Sequence, residues 1–135
     1  MKTYKENITS LKSNQIFVFG SNTQGRHGKG AALFAIKNCG AIYGQAKGLQ
    51  GQSYAIITKD LNKNIHPSIR KIDIIRQILD LYKYAESNQD KEFLIAYKGN
   101  TINLNGYTPE EMAKMFSSMF IPNNIVFEES FSKLL

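Results

Sequence analysis

The stretch Ile16–Ile36, IFVFGSNTQGRHGKGAALFAI, constrains this chain more than any other. Its apolar run (Ile16, Phe17, Val18, Phe19) reads as a buried strand that breaks at Gly20, with Ser21 and Asn22 as turn-formers. Gly25, Gly28 and Gly30 follow, and from Ala31 the pattern is that of a helix with Ala32, Leu33, Ala35 and Ile36 on its apolar face, about Lys29 to Cys39 overall. A strand that feeds a glycine-rich loop and then a helix aims backbone N–H groups and the positive end of a helix dipole at one spot, which suits a phosphate. Arg26, His27 and Lys29 add side-chain nitrogen to that spot. Glycine serves there because a Cβ would block a positive φ or hold the backbone off the ligand. Spacing alone leaves two readings open, an anion cradle and a long tight turn.

Charge placement bears on that choice. The net charge is +6, from 17 Lys and Arg against 11 Asp and Glu. Between Met1 and Lys59 there is a single acid, Glu6, whereas acids and bases nearly balance from Asp60 onward. Most of the 10 glycines also precede Gln52, so positive charge and backbone permissiveness coincide. An anionic partner near the glycine loops is expected. With 135 residues and a hydrophobic fraction of 42%, residues 1–135 read as one globular domain. No apolar run reaches the ~18 residues of a membrane span, and MKTYKENITSLKS lacks the apolar core of a secretory leader. Cys39 is alone, which excludes an internal disulfide and suits a cytoplasmic setting; among small apolar residues it reads as a buried thiol.

In chain order, Met1–Ser13 reads as a short leading strand or coil anchored by Tyr4 and Ile8, and Gln15–Gly20 as the first firm strand. Gly40–Ser53 is too polar and glycine-rich for a regular element; its Gln45, Gln50 and Gln52 are of the type that pairs with base edges or ribose hydroxyls. Ser53–Thr58 predicts a second strand. Ser68–Glu86 predicts a long helix whose stripe is Ile72, Ile75, Leu79 and Tyr82, widened by Ile78 and Ala85, opposite Arg70, Lys71, Arg76, Gln77 and Lys83. Glu92–Tyr97 predicts a third strand, and Asn124–Phe127 the last. Between them Thr108, Pro109 and Glu111 form a capping box with proline at N1 for a helix running to Pro122. The order β-α-β-α-β-α-β with apolar strands implies an α/β sandwich of three layers, α/β/α, around a mostly parallel sheet. Ligands in such folds sit beyond the carboxyl ends of the strands, which gathers the loops Gly20–Gly30, Thr58–Asp60 and Lys98–Gly106 at one mouth.

Stock motifs are excluded. Gly20 and Gly25 have the outer spacing of a P-loop, but Arg26-His27 stands where Lys-Ser/Thr is required, and GxGxxG and GxSxG do not occur. No Cys/His cluster suggests a metal, and nothing calls for a cofactor. His27 beside Asn22 has the chemistry of an acid/base, though no carboxylate in the loop orients it.

The segments VFGSNTQGRHGKGAA and GAIYGQAKGLQGQSYAIITKD resemble a group of small phage and bacterial proteins that look like trimmed relatives of macrodomains, the ADP-ribose-binding α/β/α fold. The resemblance covers Ile16–Asp60 and extends loosely to Phe116. It implies that Phe19–Asn22 stands for the macrodomain strand end and Gly25–Leu33 for its first phosphate loop, with Asn22 at the distal ribose and Gly28 near the phosphates. It also implies a second phosphate loop at KGNTINLNGY, where Gly99, Gly106 and Tyr107 are kept while Asn100 and Thr101 replace smaller residues. The macrodomain adenine aspartate would fall near Gln15, and the hydrolase aspartate near Gly30. The implied ligand is a small-molecule nucleotide such as ADP-ribose. Its expected contacts are Gly20, Ser21, Asn22, Gly25, Arg26, His27, Gly28, Lys29, Gly30, Thr58, Lys98, Gly99, Asn100, Thr101 and Gly106, and Asn22 and His27 are the candidates for any ADP-ribosyl or nucleotide-phosphate hydrolysis. Two alternatives stay open: nucleic-acid backbone binding through the basic N-terminal half, and a macro-like fold without a ligand. Backbone binding normally spreads cations and aromatics along a face, whereas Arg26, His27 and Lys29 crowd one loop, which favours a compact anion.

Overall fold

The apolar runs pair at the centre of one sheet. The computed structural model describes Met1–Leu135. In chain order it contains β1 (Thr3–Tyr4), β2 (Gln15–Asn22), α1 (Gly30–Asn38), β3 (Gly48–Gln50), β4 (Ser53–Lys59), α2 (Lys71–Glu86), β5 (Glu92–Ile95), α3 (Pro109–Phe116), β6 (Ile125–Glu128) and α4 (Glu129–Ser132). The strands stand in the order β1-β6-β5-β2-β4-β3, all parallel except β3, which runs antiparallel to β4. As expected, β5, β2 and β4 lie side by side in a mostly parallel α/β sheet.

Because side chains alternate across a strand, β2 feeds two cores. Ile16 and Val18 join Tyr54, Ile56, Phe93 and Ile95 under α2, α3 and α4. Phe17 and Phe19 point the other way and meet Ala35 and Cys39 of α1, with Ile8 and Leu11 of the N-terminal arm packed alongside. Burial pushes the Cys39 thiol up to about 11, so it is a packing group. The arm is tied by the Tyr4 hydroxyl donating to Ile95 O (2.6 Å). Its anchors therefore include Leu11 as well as the expected Tyr4 and Ile8.

Several expectations are corrected. Gly40–Ser53 is not wholly irregular, since β3 pairs Gly48–Gln50 with Ser53–Ala55 at the sheet edge. In α2 the buried stripe is Ile74, Ile78, Leu81, Tyr82 and Ala85, while Ile72 and Leu79 are 45% and 40% exposed. Gln77, placed on the solvent face by periodicity, is buried because β3 is too short to cover β4. Its Oε1 accepts from Ile57 N (2.7 Å) and its Nε2 donates to Ile57 O (2.8 Å), so one side-chain amide replaces the missing strand. The first residues of the expected second helix, Ser68 and Ile69, stay outside α2, where Ser68 Oγ accepts from Asp60 N (2.8 Å). The third helix stops at Phe116 rather than Pro122, and β5 ends two residues before Tyr97. The capping box is present: Thr108 Oγ1 accepts from Glu111 N (3.1 Å) and Glu111 Oε1 from Thr108 N (3.0 Å).

Candidate functional site

β2 and β5 are neighbours whose chains leave in opposite directions. From β2 the chain passes to α1 on one face, and from β5 it passes to α3 on the other. Such a divergence opens a crevice beyond the strand ends, the ordinary ligand position of open parallel sheets. A cavity of about 920 Å³ lies there, within the range of small-molecule sites. It draws on all three loops gathered from the sequence and on the N-terminal arm.

The glycine loop is closed by Asn22. Its Oδ1 accepts from Arg26 N (2.9 Å) and Gln24 N (3.3 Å), and its Nδ2 donates to Arg26 O (2.9 Å). Asn22 lines the cavity, with its amide engaged in shaping the loop. Gly25, at φ +63°, is the crossing point of the two glycine-rich segments: Gly44 N donates to its carbonyl (2.8 Å), and a Cβ there would lie 2.6 Å from Gly44 C. His27 is 1% exposed and does not line the cavity. Its Nε2 faces Gln45 O at 3.1 Å, and its ring meets Phe19 edge-on at 5.2 Å. Gln45 O also accepts from Gln50 Nε2 (2.9 Å), while Gln50 Oε1 accepts from Ile42 N (2.7 Å). His27, Gln45 and Gln50 thus join the two loops, and Gln52 Nε2 reaches back to Lys12 O and Gln15 O.

Beyond this knot the loop opens. A Cβ on Gly28 would meet nothing within 4 Å, and neither would one on Gly30, where φ is +55°. The N-cap of α1 is Lys29, which makes no capping hydrogen bond, and no acid occupies the first turn. The start of α1, whose early N–H groups have no side-chain cap, thus lies at the cavity edge with Gly28, Lys29, Gly30, Ala31 and Ala32 in the lining.

Of the remaining expected residues, Gly20, Ser21, Arg26, Thr58, Lys98 and Thr101 line the cavity. Thr58 sits at a bulge, since β4 pairs Ile57 with Ser21 and then Lys59 with Asn22. Gly99, Asn100 and Gly106 lie outside the lining. Gly99 N donates to Ser130 Oγ (2.9 Å), which is outside the lining, and a Cβ on Gly99 would run into the Ser130 carbonyl. Gly106, at φ +88°, is pressed on the His66–Pro67 backbone. Sequence reasoning missed Lys59, Tyr97 and Asn105, and also the apolar wall of Phe17, Phe34 and Ile8. A usable signal existed for one of them: Tyr97 continues the parity of Phe93 and Ile95, just past the end of β5.

The lining holds four cations, Arg26, Lys29, Lys59 and Lys98, and no acidic side chain or histidine. None of the four is in an ion pair, although Lys98 Nζ donates to Asn7 Oδ1. No cluster of three or more His, Cys, Asp or Glu occurs that could hold a metal ion, and no helix is long and apolar enough to cross a membrane. Fold and site together define an α/β protein with a cationic, acid-free mouth at the switch point of its sheet. No family model, no curated protein and no solved structure matches the chain.

Proposed function

We propose that this mouth binds a phosphate-containing nucleotide, ADP-ribose or a close relative, as a macrodomain-like module. One observation carries the reading: the uncapped N-terminus of α1 opens on a cavity lined by four unpaired cations and no acid. A helix N-terminus favours an anion by ~0.3–1 kcal/mol when exposed and ~2 when partly buried, and charged hydrogen bonds add ~1.5–3 kcal/mol each. Two or three such contacts in a preformed loop support micromolar affinity, about −8 kcal/mol. The diphosphate meets the Gly28–Ala31 edge, and the wall of Phe17, Phe34 and Ile8 offers apolar surface to a base. The α/β/α layering and the glycine loop agree with the macrodomain-like resemblance. Binding is favoured over hydrolysis, because general-base work needs a carboxylate or imidazole within ~3 Å of the attacking water and neither type lines the cavity.

The cations converge on one concavity rather than running along a face, which favours a compact ligand over a nucleic-acid strand. Calorimetric titration with ADP-ribose, AMP, pyrophosphate and a single-stranded oligonucleotide tests the reading. Micromolar binding of ADP-ribose with a weak, salt-sensitive oligonucleotide signal is expected. Tight oligonucleotide binding with no nucleotide binding would transfer the function to nucleic acid.

A further inference from the structure

We propose that Tyr97, together with Thr58 and Asn105 around Gly20, forms an uncharged subsite in the cavity floor that takes a neutral oxygen of the ligand, a hydroxyl or a carbonyl. This rests on the anion-binding reading above and adds a requirement to it: the ligand carries a neutral hydrogen-bonding group as well as a phosphate.

Three buried polar groups meet there with poor protein partners. Tyr97 lines the cavity, is 8% exposed, and its buried hydroxyl has the Thr58 and Asn105 side chains as polar neighbours but none in proper hydrogen-bond geometry. Interiors seldom leave such a group unpaired, and those that do warrant a functional explanation. Asn105 also lines the cavity at 5% exposure. Its Oδ1 accepts from Tyr107 N (2.9 Å), but the protein partner of its Nδ2 is the thioether of Met112 at 3.6 Å, a weak acceptor. Thr58 Oγ1 makes only a long contact with Ser21 O (3.4 Å). Two of them converge at Gly20: a Cβ built there would stand 2.5 Å from Tyr97 Oη and 3.2 Å from Thr58 Oγ1. Glycine thus keeps open the space in which these hydroxyls meet.

The donor is held in place. The Tyr97 ring packs against Phe116 (5.9 Å) and Phe131 (6.0 Å), both fully buried and in contact with each other. Burial raises its phenol to about 12, with Thr58 and Asn105 drawing it back slightly, so near neutral pH it keeps its proton and donates. Tyr97, Thr58 and Asn105 are all uncharged, so the floor selects a neutral oxygen while the cations at the mouth take the phosphate.

The test compares the parent with Tyr97→Phe by calorimetry, using ADP-ribose and pyrophosphate as probes, together with the melting temperature of the ligand-free proteins. The expected result is a loss of about 3–10-fold in ADP-ribose affinity, unchanged pyrophosphate affinity, and a ligand-free melting temperature no lower than the parent's. Equal ADP-ribose affinity in both proteins would overturn the inference and leave the anion reading standing, as would equal losses for both probes. A lower ligand-free melting temperature would show that the hydroxyl serves the fold, and would also overturn it. Binding of pyrophosphate but not ADP-ribose by the parent would refute the subsite and the assignment of ADP-ribose, and leave only anion binding at the mouth. Binding of neither would refute both.

Discussion

Gly20→Ala is expected to destabilise the protein, and Tyr97→Phe is expected to restore much of the loss. The added methyl would lie 2.5 Å from Tyr97 Oη, closer than real Cβ contacts come, with Thr58 Oγ1 at 3.2 Å and Tyr97 Cζ at 3.4 Å. The phenol has little freedom to move, because Phe116 and Phe131 hold its ring. Gly20 itself lies within β2, paired with Ile56 of β4. Overpacking a rigid interior costs about 1–3 kcal/mol, and at this chain length each kcal/mol moves the melting temperature by roughly 3–5 °C. Removing Oη leaves the methyl only the two longer contacts. Tyr97→Phe alone is expected to be neutral or mildly stabilising, since it deletes a buried hydroxyl without a partner. A thermal double-mutant cycle reads the coupling, about 1–2 kcal/mol in favour of the pair. If the double variant melts as low as Gly20→Ala alone, the clash lies elsewhere and the geometry assigned to the floor is wrong.

Gly28→Val is expected to weaken phosphate-ligand binding more than Arg26→Ala, because it obstructs the open backbone edge while its Cβ has no protein atom within 4 Å; full affinity in Gly28→Val, by calorimetry, would make the loop a plain turn. Glu128 is held below the usual carboxylate range: burial opposes this, but hydrogen bonds from Ser130, Phe131 and Gly99 outweigh it. Its stabilisation is therefore present above the unfolded value, near 4.5, and is lost as pH falls through the lower folded value. Glu128→Gln is thus expected to flatten the fall in melting temperature between about pH 5 and pH 3. Thr108→Ala removes the side-chain acceptor at the α3 N-terminus and is expected to cost ~1 kcal/mol in chemical denaturation. Turnover of ADP-ribosyl esters is expected to be slow or absent, and a robust rate that survives His27→Ala in a chromatographic assay would mean the cavity holds a base not recognised above.

The parts legible in the sequence are those with local causes. The run Ile16–Phe19 has to be buried on both sides, and Thr108-Pro109-Glu110-Glu111 carries its own start signal, so the starts of β2 and α3 fall where expected; β2 does not break at Gly20 but runs on through Ser21 and Asn22, which pair with β4. α2 was harder because Ile72, Ile74, Ile75, Ile78, Leu79 and Leu81 cover more than one helical stripe. Which stripe is buried depends on the sheet beneath, and Gln77 turns inward because β3 pairs with β4 only as far as Ala55 and leaves Ile57 uncovered on that side. β3 is hidden in the sequence because its three residues, which begin at Gly48 and are followed by Gly51, hold their conformation through pairing with β4. At the site, the glycine loop was visible, but its division of labour was not. Gly25 and His27 tie the two loops together and Gly28 stays open, a distinction set by Gly44 and Gln45 some twenty residues away in sequence. The hydroxyl of Tyr97 stood out only in three dimensions, because hydrogen-bond satisfaction belongs to the packed interior.

The central claim is that an anion sits at the glycine loop where α1 begins. Amide chemical shifts of isotopically labelled protein, followed while ADP-ribose is added, test the location as well as the affinity. The account predicts saturable shifts, with a micromolar midpoint, that are largest at Gly28, Gly30, Ala31 and Ala32. Shifts centred elsewhere, or none at millimolar ligand, would contradict it.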